Sequence, residues 1–215
     1  MVYLISGLGA DARMFTKLNL GSEHEFKHIV WIKESSGESL KDYCKRLINQ
    51  IDLTQKIDII GMSFGGIVAQ EISRLIPVRK LIIISSVKSP DEFGFALSLI
   101  RKSAVYRIVP KWFLKWSNLL TGDYYFGTKT KEESKLLKAI IRDTESDFLK
   151  WSIKQVMTWK GGLISTPIVH IHGDADRIFT KEKIKNCHWI KGGGHLMIHN
   201  RGEEVSELVR ASLKE

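Results

Sequence analysis

The sequence predicts an α/β protein in which a doubly wound, mostly parallel sheet of about six strands lies between helices. Short apolar runs alternate with helical patterns along the chain. Most of these runs are continuously hydrophobic, as in parallel strands whose two faces are both covered. The length of 215 residues suits one domain with a substantial core. The six strand candidates are residues 2–6, 28–32, 57–62, 80–87, 167–173 and 187–192.

Helical patterns fill the intervals between these strand candidates. Between residues 40 and 51, apolar side chains recur every three or four positions, and Ser39 stands where an N-cap is expected. Residues 65–76 form a second helical pattern, which Pro77 ends. A third amphipathic pattern covers residues 205–213. This alternation of strand and helix favours a parallel sheet built from βαβ units.

The alternation stops between residues 88 and 162, where helical patterns dominate and no strand candidate occurs. We therefore predict a core made of residues 1–87 and 163–215, with residues 88–162 as a helical cap insertion, all within one structural domain. An insertion between strands of such a sheet lies near the carboxyl ends of the strands, where ligands bind. Its tryptophans either pack a small local core or line an apolar pocket; they are Trp112, Trp116, Trp151 and Trp159.

The composition narrows the possible partners and location of the protein. Lys and Arg outnumber Asp and Glu by 33 to 24, a formal charge of +9, yet no run of five basic residues and no nucleic-acid-binding motif occurs. No apolar run has the roughly 18 residues of a membrane helix. We therefore expect neither a nucleic-acid nor a membrane partner. The two cysteines form no CxxC pair and the first residues lack a signal-peptide pattern, so we expect a cytoplasmic location.

A serine stands between glycines where a strand candidate meets a helix candidate. The stretch Gly61-Met62-Ser63-Phe64-Gly65-Gly66 matches the pattern G-x-S-x-G. A chain that reverses from strand to helix so quickly strains the serine and crowds its neighbours, which then have to be glycine. The N-terminus of the following helix favours negative charge beside the hydroxyl. Ser63 is therefore a candidate nucleophile, the alternative being a small residue in a tight turn.

Two further motifs follow later strand candidates. The stretch "HGDAD", residues 172–176, places Asp174 and Asp176 after a buried strand, where a carboxylate either orients a catalytic histidine or is merely solvated. The stretch "GGGH", residues 192–195, places His195 in a glycine-rich loop, which can also hold a histidine without a chemical role. Serine, acid and histidine thus follow one another in the order Ser, Asp, His, each just after a strand candidate.

Together these three motifs resemble those of the α/β-hydrolase superfamily, particularly its small bacterial esterase-like serine hydrolases. The resemblance covers essentially the whole chain and implies a minimal form of that fold, with residues 88–162 as the variable cap. It implies Ser63 as nucleophile, His195 as general base and Asp176 as the acid, with Asp174 as the fallback. It further implies cleavage of a carboxylic ester or related acyl compound, a small-molecule substrate, through an acyl-enzyme and without a cofactor.

The resemblance also implies an oxyanion hole made of two backbone N–H groups. One belongs to Phe64, which follows the nucleophile, and the other to Leu8, in the loop after the first strand candidate. That family usually has His-Gly where this chain has Ser6-Gly7, so the support of the loop differs here. We also expect the cap aromatics, with Ile178 and Phe179, to form an apolar acyl pocket.

Other interpretations compete with this one. Residues 7–12, "GLGADA", match G-x-G-x-x-G/A after a strand, and Glu34 follows about twenty residues later, which suggests an NAD(P)-dependent oxidoreductase. That match leaves the other three motifs unexplained. The same scaffold also serves lyases, thioesterases and non-hydrolytic proteins. His170 and His172 lack a third ligand at suitable spacing, so no metal site is expected; we interpret His172 as a packed structural histidine, and His199 lacks the glycine context of the histidine motif.

Overall fold

An entirely parallel six-stranded sheet forms the centre of the computed structural model, which describes residues 1–214. Its strands run in the order β2-β1-β3-β4-β5-β6. After β1 the chain adds β2 on one side of β1 and then β3 on the other side. The direction of strand addition thus reverses between β1 and β3, and sheets of this kind bind ligands at the carboxyl ends of the strands beside such a reversal. The predicted fold class is confirmed. The strands are β1 (Val2–Ile5), β2 (Phe26–His28), β3 (Asp58–Met62), β4 (Lys80–Ile84), β5 (Ile168–Gly173) and β6 (His188–Ile190).

Apolar residues on the two faces of the sheet form two separate cores. In β3, Ile59 belongs to one core and its neighbour Ile60 to the other, because successive side chains of a strand point to opposite faces. Burial of each such side chain contributes about 1.5–3 kcal/mol. The continuous apolar runs of the sequence therefore reflect a sheet that is covered on both sides. The α-helices of the described chain are α1 (Leu40–Leu47), α2 (Phe64–Ser73), α3 (Phe95–Ser103), α4 (Lys111–Phe126), α5 (Lys131–Asp143), α6 (Ser146–Thr158), α7 (Met197–Asn200) and α8 (Gly202–Lys214).

Helix α1 begins where its capping residue predicted. The Ser39 hydroxyl accepts a hydrogen bond from the Asp42 N–H at 3.2 Å, an interaction that contributes on the order of 1 kcal/mol. The helix is shorter than its apolar pattern, since it ends at Leu47 and continues as a 3-10 turn over Ile48–Gln50. None of the helices in the described chain is long and apolar enough to cross a membrane.

The second strand lies earlier than its apolar run indicated. Residues 28–32 were the candidate, whereas β2 covers Phe26–His28, and the chain beyond it leaves the sheet. Side chains satisfy the backbone there: the Gln50 amide bonds both the N–H and the carbonyl of Val30, at 2.9 Å each, and the Tyr43 hydroxyl bonds both groups of Ile32. These side chains, from α1 and the turn after it, replace the hydrogen bonds that a neighbouring strand would make. The chain beyond His28 can therefore be apolar without being part of the sheet.

Between β4 and β5 the described chain contains α3 to α6 and no strand, as expected for residues 88–162. Helix α6 joins this helical segment to the core: the Trp151 ring lies 4.5 Å from that of Tyr43, and its indole N–H donates to the Glu38 carbonyl at 3.0 Å. Trp151 and Trp159 are buried in the core, whereas Trp112 and Trp116 are exposed. The four tryptophans therefore line no common pocket. The division into a core and a cap stays a prediction.

Candidate active site

Ser63 occupies the turn between β3 and α2, at the carboxyl edge of the sheet. Its backbone has φ 52° and ψ −121°, a conformation that residues other than glycine rarely adopt and that costs on the order of 1–3 kcal/mol. Two contacts with the end of β4 and the residues after it hold the turn: the Ser63 N–H donates to the Ile84 carbonyl at 2.9 Å, and the Ser63 carbonyl accepts from the Ser86 hydroxyl at 2.7 Å. Neighbouring strand β4 thus stabilises a strained serine that stays partly accessible.

The glycines around Ser63 allow backbone segments to approach one another closely. A Cβ atom on Gly65 would collide with the carbonyl oxygens of Ile5 and Ser6, at the end of β1. A Cβ on Gly61 would strike the backbone of Gly65 across the turn. The glycine pattern of the motif is therefore required by packing at the point where β1, β3 and α2 meet.

The structure brings Ser63, His195 and Asp176 into one hydrogen-bonded series. The Oγ of Ser63 lies 2.9 Å from Nε2 of His195, and Nδ1 of His195 lies 2.8 Å from Oδ2 of Asp176. His195 and Asp176 are buried. Asp174, the fallback acid, lies outside this series: its Oδ1 accepts from the N–H of Gly192 at 2.6 Å and so ties together the loops that follow β5 and β6.

The carboxylate of Asp176 is fully engaged. Its Oδ1 accepts from the backbone N–H groups of Ile178 at 2.8 Å and Phe179 at 3.0 Å. Burial on its own would raise its pKa, but the electrostatic interaction and hydrogen bond with His195, together with the Phe179 N–H, prevail and hold the pKa below its ordinary value. An ionised carboxylate can only accept a hydrogen bond, so Nδ1 of His195 carries the proton and Nε2 is free to accept one from Ser63.

A second pair of histidines lies beneath this acid. The Nε2–H of His172 donates to the Phe179 carbonyl at 2.8 Å, which leaves its Nδ1 to accept from Nε2–H of His170 at 3.2 Å. Burial lowers the pKa of both histidines, that of His170 to about 3, so both are neutral. His172 therefore holds the loop whose N–H groups bind Asp176, a structural role consistent with the packed histidine expected from the sequence.

His195 lies in a loop that only glycine permits. A Cβ on Gly173 would strike the backbone of Gly193, because the loops after β5 and β6 touch there. The ring of Phe126, the last residue of α4, lies edge-on to the imidazole of His195 at 5.3 Å. His199, the nearby histidine of the sequence, lies instead in α7, where its Nδ1 is buried without a partner among the described residues.

The loop after β1 brings a second backbone N–H group to the vicinity of Ser63. A Cβ on Gly7 would lie 3.5 Å from the Cβ of Ser63, so this loop is in contact with the turn. The two N–H groups concerned are those of Leu8, in the loop, and Phe64, which follows the serine. Both N–H groups are without an acceptor in the part of the chain that the structure describes.

One nearby side chain and two that are remote in sequence support this loop. The Ser6 hydroxyl donates to the carbonyl group four residues further on, at 2.6 Å. The indole N–H of Trp31 donates to the Gly7 carbonyl at 3.2 Å, and the Thr144 hydroxyl lies 2.9 Å from the carbonyl of Gly9. Sequence reasoning missed Trp31 and Thr144, since no motif marks either residue.

The loop lacks the features that a dinucleotide site requires. A cleft of about 560 Å³ adjoins it and includes Glu34, the acid that a ribose would need. However, the loop continues into a single 3-10 turn, Ala12–Phe15, so it offers no α-helix N-terminus to a pyrophosphate. Arg13, a cation of this cleft, is already paired with Asp11 and Asp143. The geometry therefore disfavours the oxidoreductase interpretation.

Comparison with known proteins establishes the fold. The structure is similar to a hydrolase from Oleispira antarctica, with a TM-score of 0.73 and 19% identity over 100% of this chain and 90% of that one. It is also similar to an esterase from Exiguobacterium antarcticum, with a TM-score of 0.72 and 18% identity over 100% of this chain and 91% of that one. A thermophilic esterase from Thermogutta terrifontis gives a TM-score of 0.70 and 20% identity over 99% of this chain and 89% of that one. No family model and no curated protein matches the sequence. The chain therefore has the α/β-hydrolase fold.

Proposed function

We propose that this protein is a serine hydrolase that cleaves a carboxylic ester or a related acyl compound. The observation that carries the proposal is the hydrogen-bonded series from Ser63 through His195 to Asp176, with two of its three members buried. Structures of the same fold are named as esterases and hydrolases, which supports an enzyme that acts on ester bonds. The two free cysteines are compatible with a cytoplasmic location.

The reaction begins with proton transfer from Ser63 to Nε2 of His195 as the serine attacks the acyl carbon. Asp176 keeps Nδ1 protonated and stabilises the imidazolium that forms. His195 then protonates the leaving alcohol, and the acyl group stays on Ser63 as an ester. Water, deprotonated by His195, hydrolyses this acyl-enzyme and regenerates the serine. The low pKa of Asp176 is consistent with its remaining ionised throughout.

The N–H groups of Leu8 and Phe64 would stabilise the oxyanion of the tetrahedral intermediate. Each such donor contributes about 3–4 kcal/mol in comparable sites, because it is oriented before the charge develops. The strained backbone of Ser63 supports this role, since it positions the hydroxyl and the N–H of the next residue on the same turn.

The surroundings of His195 favour an apolar acyl group. The rings of Phe126 and Phe179 flank its imidazole at 5.3 Å and 5.7 Å, and Phe179 is stacked on Phe93. These rings exclude water from the imidazole and offer apolar contact to a small-molecule acyl substrate. A thioester would fit the same mechanism, and lyase chemistry would differ in leaving no acyl-enzyme.

The first test is hydrolysis of p-nitrophenyl acetate and butyrate, together with labelling by a fluorophosphonate, for the parent enzyme and the variant Ser63→Ala. We expect kcat/KM to fall by at least about a thousandfold in the variant, because the nucleophile is lost. Labelling should disappear with it.

Ser103→Ala is the matched control, because Ser103 is exposed in α3 and bonds only to the backbone of its own helix. It should hydrolyse and label as the parent does. A folded parent that neither hydrolyses these esters nor labels would contradict the proposal. An acyl-coenzyme A thioester assay then tests thioesterase activity.

A further inference from the structure

Helix α4 is an apolar helix that remains at the surface. Nine of its sixteen residues are large and apolar, yet the only residue it buries is Gly122. Eleven of the sixteen exposed large hydrophobic residues in the described chain lie between residues 95 and 125. A contiguous apolar surface of this kind on a folded chain marks an interaction site.

The exposed residues of α4 lie along one side of the helix. Trp112, Trp116, Leu120 and Tyr124 are each four positions apart, a spacing that aligns side chains on one face. Their exposed fractions are 66%, 53%, 66% and 61%. Phe113 lies beside this row, in ring contact with both tryptophans. We call these five residues the α4 face.

The chain that leads into α4 and forms its first three turns is basic, with Lys111 paired to Asp147 of α6 at 2.9 Å and Asp123 following in the last turn. From residue 93 to residue 122 the sequence contains five Lys or Arg residues and no Asp or Glu. Lys102, in α3, and Arg107, between α3 and α4, are both exposed. This segment therefore carries a large part of the formal charge of +9. Trp and Tyr side chains among lysines and arginines are the combination that suits the boundary between lipid headgroups and acyl chains.

From these observations we propose that the α4 face docks on the surface of an anionic lipid bilayer, without spanning it. The aromatic rings would enter the headgroup region, while the basic residues of the segment contact anionic headgroups. This proposal replaces the sequence-based expectation of no membrane partner. It concerns binding alone and stands whether or not Ser63 acts on esters.

The charge of the segment argues against a second copy of the chain as the occupant. A symmetric dimer through the α4 face would bring two basic segments together, and like charges across an interface oppose association. An anionic bilayer has the complementary charge and an apolar interior for the rings.

Docking through this face would place the candidate active site near the bilayer. The C-terminal end of α4 leads to it: the Tyr124 carbonyl accepts from Arg177 at 2.8 Å, beside the acid loop, and the Phe126 ring contacts His195. An acyl compound dissolved in the membrane would then have a short path to Ser63.

The test is flotation of the full chain with vesicles of phosphatidylcholine alone or with about one-third phosphatidylglycerol, for the parent and for Trp112→Ser/Trp116→Ser. We expect the parent to float with the anionic vesicles and the double variant to bind at least about tenfold more weakly. The tryptophan emission of the parent should shift to shorter wavelength on binding. Both tryptophans are exposed, so circular dichroism of the variant should match that of the parent.

Leu163→Ser is the control, because Leu163 is 100% exposed in a loop outside the basic segment; it should bind as the parent does. Lys102→Gln/Arg107→Gln tests the charge independently and should also weaken binding to anionic vesicles. A parent that binds anionic vesicles no better than the double variant would overturn the proposal. So would a parent dimer, seen by light scattering, that the tryptophan changes dissociate while vesicles remain unbound.

Discussion

The histidines beneath Asp176 show how hydrogen-bond partners distinguish buried residues of the same type, since His170, His172 and His195 are all buried. His170 and His172 lie in the same strand, one donating to the other, and neither has a carboxylate within hydrogen-bond distance. His172 Nε2 is 3.6 Å from Asp176, and it donates to the Phe179 carbonyl instead. His195 has the same side chain but bonds Asp176 and Ser63 directly. Hydrogen-bond partners, and not residue type, separate the structural from the candidate catalytic imidazole.

The low pKa of His170 predicts a loss of stability in mild acid. The unfolded chain binds a proton on this imidazole near pH 6.5, whereas the folded chain binds it only at about pH 3. Between these values the unfolded state holds more protons, so the free energy of unfolding falls as the pH falls, by up to about 1.4 kcal/mol per pH unit. His170→Gln should make this dependence shallower, since the amide can still donate to His172 without titrating.

Urea unfolding at several pH values between about 4.5 and 7 measures this effect in both proteins. Equal pH dependence in parent and variant would show that His170 does not carry it. Burial also lowers the pKa of His172, so part of the pH dependence of stability should remain in the His170→Gln variant.

At the scale of elements, the candidate active site depends on the fit between the turn after β3 and the loop after β1. Gly65 lets the loop carbonyls approach the turn, and a Cβ on Gly7 would lie 3.5 Å from the Cβ of Ser63. The indole N–H of Trp31 donates to the Gly7 carbonyl of the loop, and the Trp31 ring stacks on that of Phe64 with ring centroids 5.6 Å apart. The Trp31 side chain thus contacts both segments that carry the candidate oxyanion donors, the loop with Leu8 and the turn with Phe64.

Thr144, which follows α5, extends this support to the helical segment. Its hydroxyl is shared between the carbonyls of Gly9 and Ile140, at 2.9 Å and 2.8 Å. Thr144→Val should lower kcat for p-nitrophenyl butyrate by about tenfold with little change in KM, because a loosened loop misplaces the Leu8 N–H in the transition state. Thr144→Ser retains the hydroxyl and should restore kcat. Loss of activity in both variants would instead indicate a packing role of the methyl group.

At the scale of the whole molecule, the sheet collects residues from distant parts of the chain. Ser63, Asp176 and His195 follow β3, β5 and β6, and parallel strands present their carboxyl ends at one edge. The exposed aromatic residues instead concentrate in the helical segment, where residues 93–122 contain five Lys or Arg residues and no Asp or Glu. The chain therefore separates a largely buried site from an exposed surface suited to docking.

This distribution predicts that binding to anionic vesicles depends on salt. Raising the ionic strength from about 0.1 M to 1 M shortens the screening length from about 10 Å to 3 Å. We expect vesicle affinity to fall by at least about tenfold over this range, with a remainder due to the aromatic rings. Flotation at graded sodium chloride concentrations measures it, and an affinity that is unchanged or rises with salt would exclude the electrostatic part of the proposed docking.

Much of the fold could be predicted because its signals are local. Continuous apolar runs indicated buried parallel strands, and Ser39 marked the beginning of α1. Residues 28–32 were wrong as a strand, because Gln50 and Tyr43 supply hydrogen bonds that no local pattern reveals. The support of the Leu8 loop was not predictable for the same reason: Trp31 and Thr144 come from other elements.

The sequence by itself determined the order of strands and helices, the glycines of the turn at Ser63 and the three motifs, since each rests on residues adjacent in the chain. Only the tertiary structure decided between Asp176 and Asp174, because that choice depends on which carboxylate reaches Nδ1 of His195. It also decided that Trp151 is buried and Trp112 is exposed. A sequence pattern identifies the apolar side chains of a helix, whereas their burial depends on which other elements pack against that helix.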